Sequence, residues 1–171
     1  MADTEQQQAV EHHVEPQKEH HWLHRLEGEW TYESEASMEP GQPPVKFTGT
    51  ESVRSLGGLW VQAEGKGEMP GGGEATTLMT LGYDVNKQRY IGTWIGSMMT
   101  NMWVYEGELD ATEKTLTLDT EGPHMFAQGQ TARYRESIEF RNDDERVFRS
   151  EMLNDDGSWQ QLMMATYRRK K

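Results

Sequence analysis

The 171-residue chain contains no cysteine, which removes disulfides, thiolate metal sites and a cysteine nucleophile together. It is also short of basic residues: 17 Lys and Arg stand against 29 Asp and Glu, a net charge of −12. General nucleic-acid binding needs clustered Lys and Arg to displace counterions, and this balance excludes it. Long apolar runs are missing as well. No stretch approaches the ~18–20 apolar residues that span a bilayer. The opening Met1-Ala2-Asp3-Thr4-Glu5-Gln6-Gln7-Gln8 lacks the apolar segment of a secretory signal. The expectation is a cytoplasmic protein with neither a membrane nor a nucleic-acid partner. Hydrophobic residues make up only 34% of the chain, yet they include 6 Trp and 11 Met. Apolar material that is sparse but bulky suffices for one core if it gathers on one face of each element.

The length suits one domain with a short appendage. Residues 1–15 are polar and predicted to be disordered, 16–169 form the domain, and 170–171 are a basic end. From Pro16 to Glu27 the spacing of Trp22, Leu23 and Leu26 predicts a short amphipathic helix, stopped by Gly28. Beyond it, runs rich in β-branched and aromatic residues alternate with turn signals up to Arg169. Connectors such as Pro40-Gly41-Gln42-Pro43-Pro44, Asp84-Val85-Asn86-Lys87 and Asn154-Asp155-Asp156-Gly157 carry turn chemistry. No second helix is available to cover an open sheet. The predicted fold is therefore all-β: an antiparallel up-and-down β-barrel of about ten strands, with the short N-terminal helix across one end.

One hairpin can be placed in register. Reading Gly96-Ser97 as a two-residue type II′ turn pairs Ile95 with Met98, Trp94 with Met99, Ile91 with Met102 and Tyr90 with Trp103. Alternation then gives two apolar faces. Trp94, Met99, Tyr90, Trp103 and Tyr105 share one with Asn101, while Ile91, Ile95, Met98, Met102 and Val104 share the other. The bulkier face is expected to point inward. The aliphatic face would then form an outer strip larger than a monomer tolerates, which predicts a homodimer through residues 88–108. On a later strand the inward set is Tyr134, Glu136, Ile138 and Phe140, and on the first it is Trp30, Tyr32, Ser34 and Ala36. Glu136 among apolar neighbours needs a hydrogen-bonding partner or a proton.

Leu26-Glu27-Gly28-Glu29-Trp30 resembles the start of calycin barrels, the superfamily of lipocalins and fatty-acid-binding proteins. The resemblance implies that the Trp30 indole closes one end of the barrel, with a basic residue of the last strand, Arg168 or Arg169, packed on it. A wider set of motifs is similar to a bacterial domain-of-unknown-function family, number 1579, over roughly Glu19 to Arg169. These motifs are Glu19-His20-x-Trp22-Leu23, Gly57-Gly58-Leu59-Trp60, Leu81-Gly82-Tyr83-Asp84, Tyr90-Ile91-Gly92-Thr93-Trp94 and Ala165-x-Tyr167-Arg168. That likeness implies the barrel and brings no catalytic residues. Nitrobindin-type haem barrels, of similar size, hold haem through a His close to the final strand. The last strand here has none, and His124 is the one histidine within the barrel region.

Other chemistry finds little support. His20 and His24 have the i, i+4 spacing of a metal clamp but no further ligand nearby. The Gly65–Gly73 loop lacks the Gly-Lys-Ser/Thr ending of a phosphate loop and precedes no helix. Neither a metal nor a cofactor is expected. The leading reading is a barrel that binds a small apolar or aromatic ligand through Trp30, Tyr90, Trp94, Met99, Asn101, Trp103, Tyr134 and Glu136. Two other readings stay open: a barrel enzyme using Glu136, with Tyr134 or Arg149, or His124 for acid–base work, and a filled barrel that serves assembly.

Overall fold

The computed structural model describes residues 14–69 and 72–171. The expected tail, residues 1–15, falls almost wholly outside them. A helix, α1 (Lys18–His24), is followed by ten strands. They are β1 (Gly28–Ala36), β2 (Val45–Leu56), β3 (Trp60–Glu68), β4 (Glu74–Asp84) and β5 (Arg89–Gly96). The second half comprises β6 (Trp103–Leu109), β7 (Thr115–Pro123), β8 (Thr131–Asn142), β9 (Glu145–Leu153) and β10 (Trp159–Arg169). Each strand pairs antiparallel with the next, and β1 pairs with β10 to close the ring, so no strand is left as an edge.

Alternation sets the inside. Along β8 the buried residues are Ala132, Tyr134, Glu136, Ile138 and Phe140, every second position. β1 presents Trp30, Ser34 and Ala36 in the same way. The turns rest on local acceptors, as when Asp84 Oδ1 accepts from the Asn86 and Lys87 amides at 2.9 and 3.1 Å.

One end of the barrel is plugged. Trp22 and Leu23 of α1, with Leu26 just after it, join Trp30, Tyr90, Leu116 and Phe140 in a single buried cluster. The Trp22 indole N–H donates to the Glu113 carbonyl at 2.7 Å. Two of the three helix histidines, His20 and His24, serve the same docking. His20 Nδ1 accepts the Gln17 amide at 2.9 Å, so its Nε2–H donates to the Tyr83 carbonyl at 3.1 Å. His24 Nε2 lies 3.0 Å from the Gly58 carbonyl. Trp30 is fully buried and donates to the Leu26 carbonyl at 2.8 Å. Of the two candidate basic residues, Arg169 takes the place over the indole, 4.3 Å from its centroid. Arg168 instead faces outward and pairs with Glu33 and Glu145.

The β5–β6 hairpin departs from the expected register. Trp94 faces Trp103, not Met99, and Tyr90 faces Gly107, not Trp103. Gly96 lacks the positive φ that a type II′ turn requires. Ser97 instead extends the contact with β4: its amide donates to the Thr76 carbonyl at 2.9 Å, and its Oγ accepts the Thr76 amide at 3.0 Å. The chain turns back only after residues 97–102. The slip is four residues, an even number, so each residue that remains in a strand keeps its face.

Candidate functional site

Above the plug the barrel is hollow. A cavity of about 390 Å³ extends from the Leu26 level towards the other end, lined mostly by apolar side chains. Phe47, Ala63, Met79, Trp94, Tyr105 and Phe148 form much of its wall. Its rim is rich in methionine: Met38, Met69, Met98, Met99 and Met125 all reach it. Thioether side chains are flexible and polarizable, and suit a mouth that must adapt to what passes. Glycines shape the interior. Gly122 leaves the space occupied by the Trp103 ring, and Gly49 and Gly67 do so for Tyr32; a Cβ at any of the three would overlap the ring. A second hollow, about 340 Å³, lies outside between α1 and the β4–β5 and β6–β7 connectors and is more polar.

Charged groups in the cavity are few. Arg146 and Glu51 form a buried ion pair through Arg146 Nη2. The guanidinium stacks over Tyr167 at 4.0 Å and over Trp30 at 4.6 Å. Its Nε is buried with no hydrogen-bond partner. Glu136 sits apart from that pair. Its carboxylate accepts from Ser150 Oγ at 3.2 Å, and burial pushes its pKa up to about 8. Burial, and then the Glu136 charge, hold the Tyr105 phenol well above its ordinary value. Burial is also the largest cause of the rise at Tyr134, whose O–H donates to the Pro123 carbonyl. Among the described residues no group of three or more His, Asp or Glu is placed to hold a metal ion. None of their helices is long and apolar enough to cross a membrane.

The family model described as "Protein of unknown function (DUF1579)" matches residues 15–169, nearly the whole described chain. The chain belongs to DUF1579. No curated protein sequence matches it. Among solved structures, this DUF1579 barrel is similar to Rv2717c from M. tuberculosis, with TM-score 0.60 and 13% identity over 92% of this chain and 100% of that one. It is also similar to the S-type phycobiliprotein lyase CPES from Guillardia theta, with TM-score 0.56 and 14% identity over 88% and 92% of the two chains. Identities this low establish a shared fold.

Of the eight residues singled out from the sequence, Trp94, Met99, Trp103, Tyr134 and Glu136 line the cavity of the DUF1579 barrel. Trp30 and Tyr90 belong to the plug, where Tyr90 donates to the Glu19 carbonyl at 3.1 Å. Asn101 does not line the cavity, because the longer β5–β6 connector carries it out of the strand. Met99 moves to the rim for the same reason, and its Sδ accepts from the Trp103 indole at 3.2 Å. His124 also lies outside the lining, with Nδ1 accepting the Phe126 amide at 3.0 Å. Arg149 points outward to Glu139 at 3.2 Å and is no partner for Glu136. Of the side chains named for acid–base work, Glu136 and Tyr134 are the ones that line the cavity. The Arg146–Glu51 pair was not read from sequence, since an inward charge in a strand looks like an outward one until its partner is known.

Proposed function

We propose that this DUF1579 barrel binds a small molecule with an apolar or aromatic body, admitted at the methionine rim and held above the Trp30 plug. The observation that carries this is the hollow itself. A cavity of about 390 Å³ lined by Trp, Tyr, Phe and Met falls in the size and chemistry of ligand pockets. A barrel filled by its own side chains would have no such space. The shared fold with a phycobiliprotein lyase is in keeping with this use of the interior. The test is a neutral fluorophore, N-phenyl-1-naphthylamine, titrated into the full chain. Ala63→Phe, which fills part of the wall, is expected to weaken binding at least about tenfold, roughly 1.4 kcal/mol, with an unchanged circular-dichroism spectrum. Equal affinity in the variant refutes a ligand site inside the barrel.

The barrel's partner is proposed to be a second copy. On the outer face, Leu78 neighbours Ile95, and Thr93 neighbours Val104. Ile95, Met102 and Val104 are 41%, 59% and 61% exposed. An isologous two-fold contact covers such a strip in one step. Ile95→Glu with Met102→Glu is then expected to convert a dimer into a folded monomer, read by light scattering after size exclusion. A wild-type mass of one chain at tens of micromolar sinks this part.

A further inference from the structure

The position of Glu136 allows the ligand class to be narrowed, on the footing of the binding function proposed above. We infer that the ligand is an organic cation: an aromatic or apolar body bearing a positively charged nitrogen, seated with that nitrogen against the Glu136 carboxylate. Three observations converge on this. First, the lining holds three carboxyl groups, Glu51, Glu68 and Glu136, against a single cation, Arg146. Arg146 is committed to Glu51, which leaves Glu136 inside and exposed Glu68 at the mouth without a basic partner in the lining. Second, Glu136 is 9% exposed and, among the described residues, is hydrogen-bonded to Ser150 alone. A buried carboxylate with one hydroxyl donor and no counter-charge is costly to ionise, and an entering cation supplies the charge it lacks. Third, the surrounding wall is aromatic. Trp103 and Tyr134 meet edge to face at 4.9 Å, and Tyr105 lies within electrostatic reach of Glu136. Aromatic faces attract cations, and the barrel already uses this where Arg146 stacks over Tyr167. The chain's net charge of −12 favours the approach of a cation and opposes that of an anion.

Binding a fixed cation requires Glu136 ionised, so below its pKa the complex forms with release of one proton from the carboxyl to solvent. The groups around it do not compete in this range. On β6, β8 and β10 they are the phenols of Tyr105, Tyr134 and Tyr167, all raised above their ordinary value. On β9 the neighbour is Ser150, on β7 it is Leu118, and the Glu51–Arg146 pair lies towards the plug. With Glu136 at about 8, its ionised fraction, and with it the affinity for a cation, is expected to fall roughly 25-fold from pH 8.5 to pH 6.5.

The experiment compares two probes of one shape on the intact chain, benzyltrimethylammonium and its uncharged isostere neopentylbenzene, by calorimetry at both pH values. The expected result is at least about tenfold tighter binding of the cation at pH 8.5, a preference that shrinks at pH 6.5 and disappears in Glu136→Gln. Near-ultraviolet circular dichroism checks that the variant is folded, and the wild-type comparison stands without it. Equal or tighter binding of neopentylbenzene at pH 8.5, or a cation affinity independent of pH, overturns the inference and leaves the apolar-ligand function intact. Failure of both probes and of N-phenyl-1-naphthylamine overturns both.

Discussion

Trp30→Ala is expected to destabilise the barrel by about 3–5 kcal/mol, the range for removing a large aromatic side chain from a packed interior. Trp30 is 0% exposed and sits where the helix, the first strand and the last strand meet. Three separate contacts go with the indole. Its N–H satisfies the Leu26 carbonyl, which ends the segment after α1. Its ring carries Arg169, whose guanidinium also donates to the carbonyls of Arg25 at 3.0 Å and Asp143 at 2.9 Å. The same ring supports Arg146, and through it the ion pair with Glu51. Trp30→Phe keeps most of the volume but strands the Leu26 carbonyl, so its cost is expected near 1–3 kcal/mol. Urea unfolding followed by far-ultraviolet circular dichroism measures both. A loss below about 1 kcal/mol for the alanine variant would mean that Trp30 is no keystone of the closed end.

The barrel was legible because it depends on parity. Each strand needs only its inward set to be apolar or bulky, and that set survives errors of two or four residues. The β5–β6 hairpin makes the point: Tyr90, Trp94, Trp103 and Tyr105 keep the inward face although their partners are displaced by four. What failed there was a local signal. Gly96-Ser97 looks like a turn in isolation, but Ser97 finds a better partner in Thr76 on the preceding strand. Sequence-local reasoning has no access to that choice. Asn101 was misplaced as a consequence, and Met98, expected on the outer face, reaches the cavity instead, while residues on strands with no slip, such as Tyr134 and Glu136, keep the expected inward face. The interior ion pair was illegible for a stronger reason. Glu51 and Arg146 are 95 residues apart, on β2 and β9, and meet across β1 and β10 only once the ring closes.

That pair underlies the other large effect. Arg146→Met is expected to cost about 3–5 kcal/mol, because it leaves Glu51 inside the barrel with no cation. The arginine side chain is 4% exposed and that of Glu51 is 14%, so water offers the carboxylate little relief. The charge is the issue, not the volume: methionine fills much of the same space over Tyr167 and Trp30. Adding Glu51→Gln to Arg146→Met removes the stranded charge, and the double variant is expected to recover most of the lost stability. Buried ion pairs are costly to break but often add little over neutral side chains of similar size. Their persistence in a cavity wall then needs a reason other than stability. In this barrel the pairing occupies the one guanidinium of the lining, so Glu136 is left as the open charge. Free Arg146 would turn the cavity towards anions. Glu51→Gln alone therefore releases a cation inside the barrel, and is expected to weaken benzyltrimethylammonium binding at pH 8.5 while Glu136 remains in place. Thermal melts of the three variants decide the stability claim: a single-variant loss below about 1 kcal/mol, as for an exposed pair, or a double variant no better than Arg146→Met, would show that the two charges are not coupled.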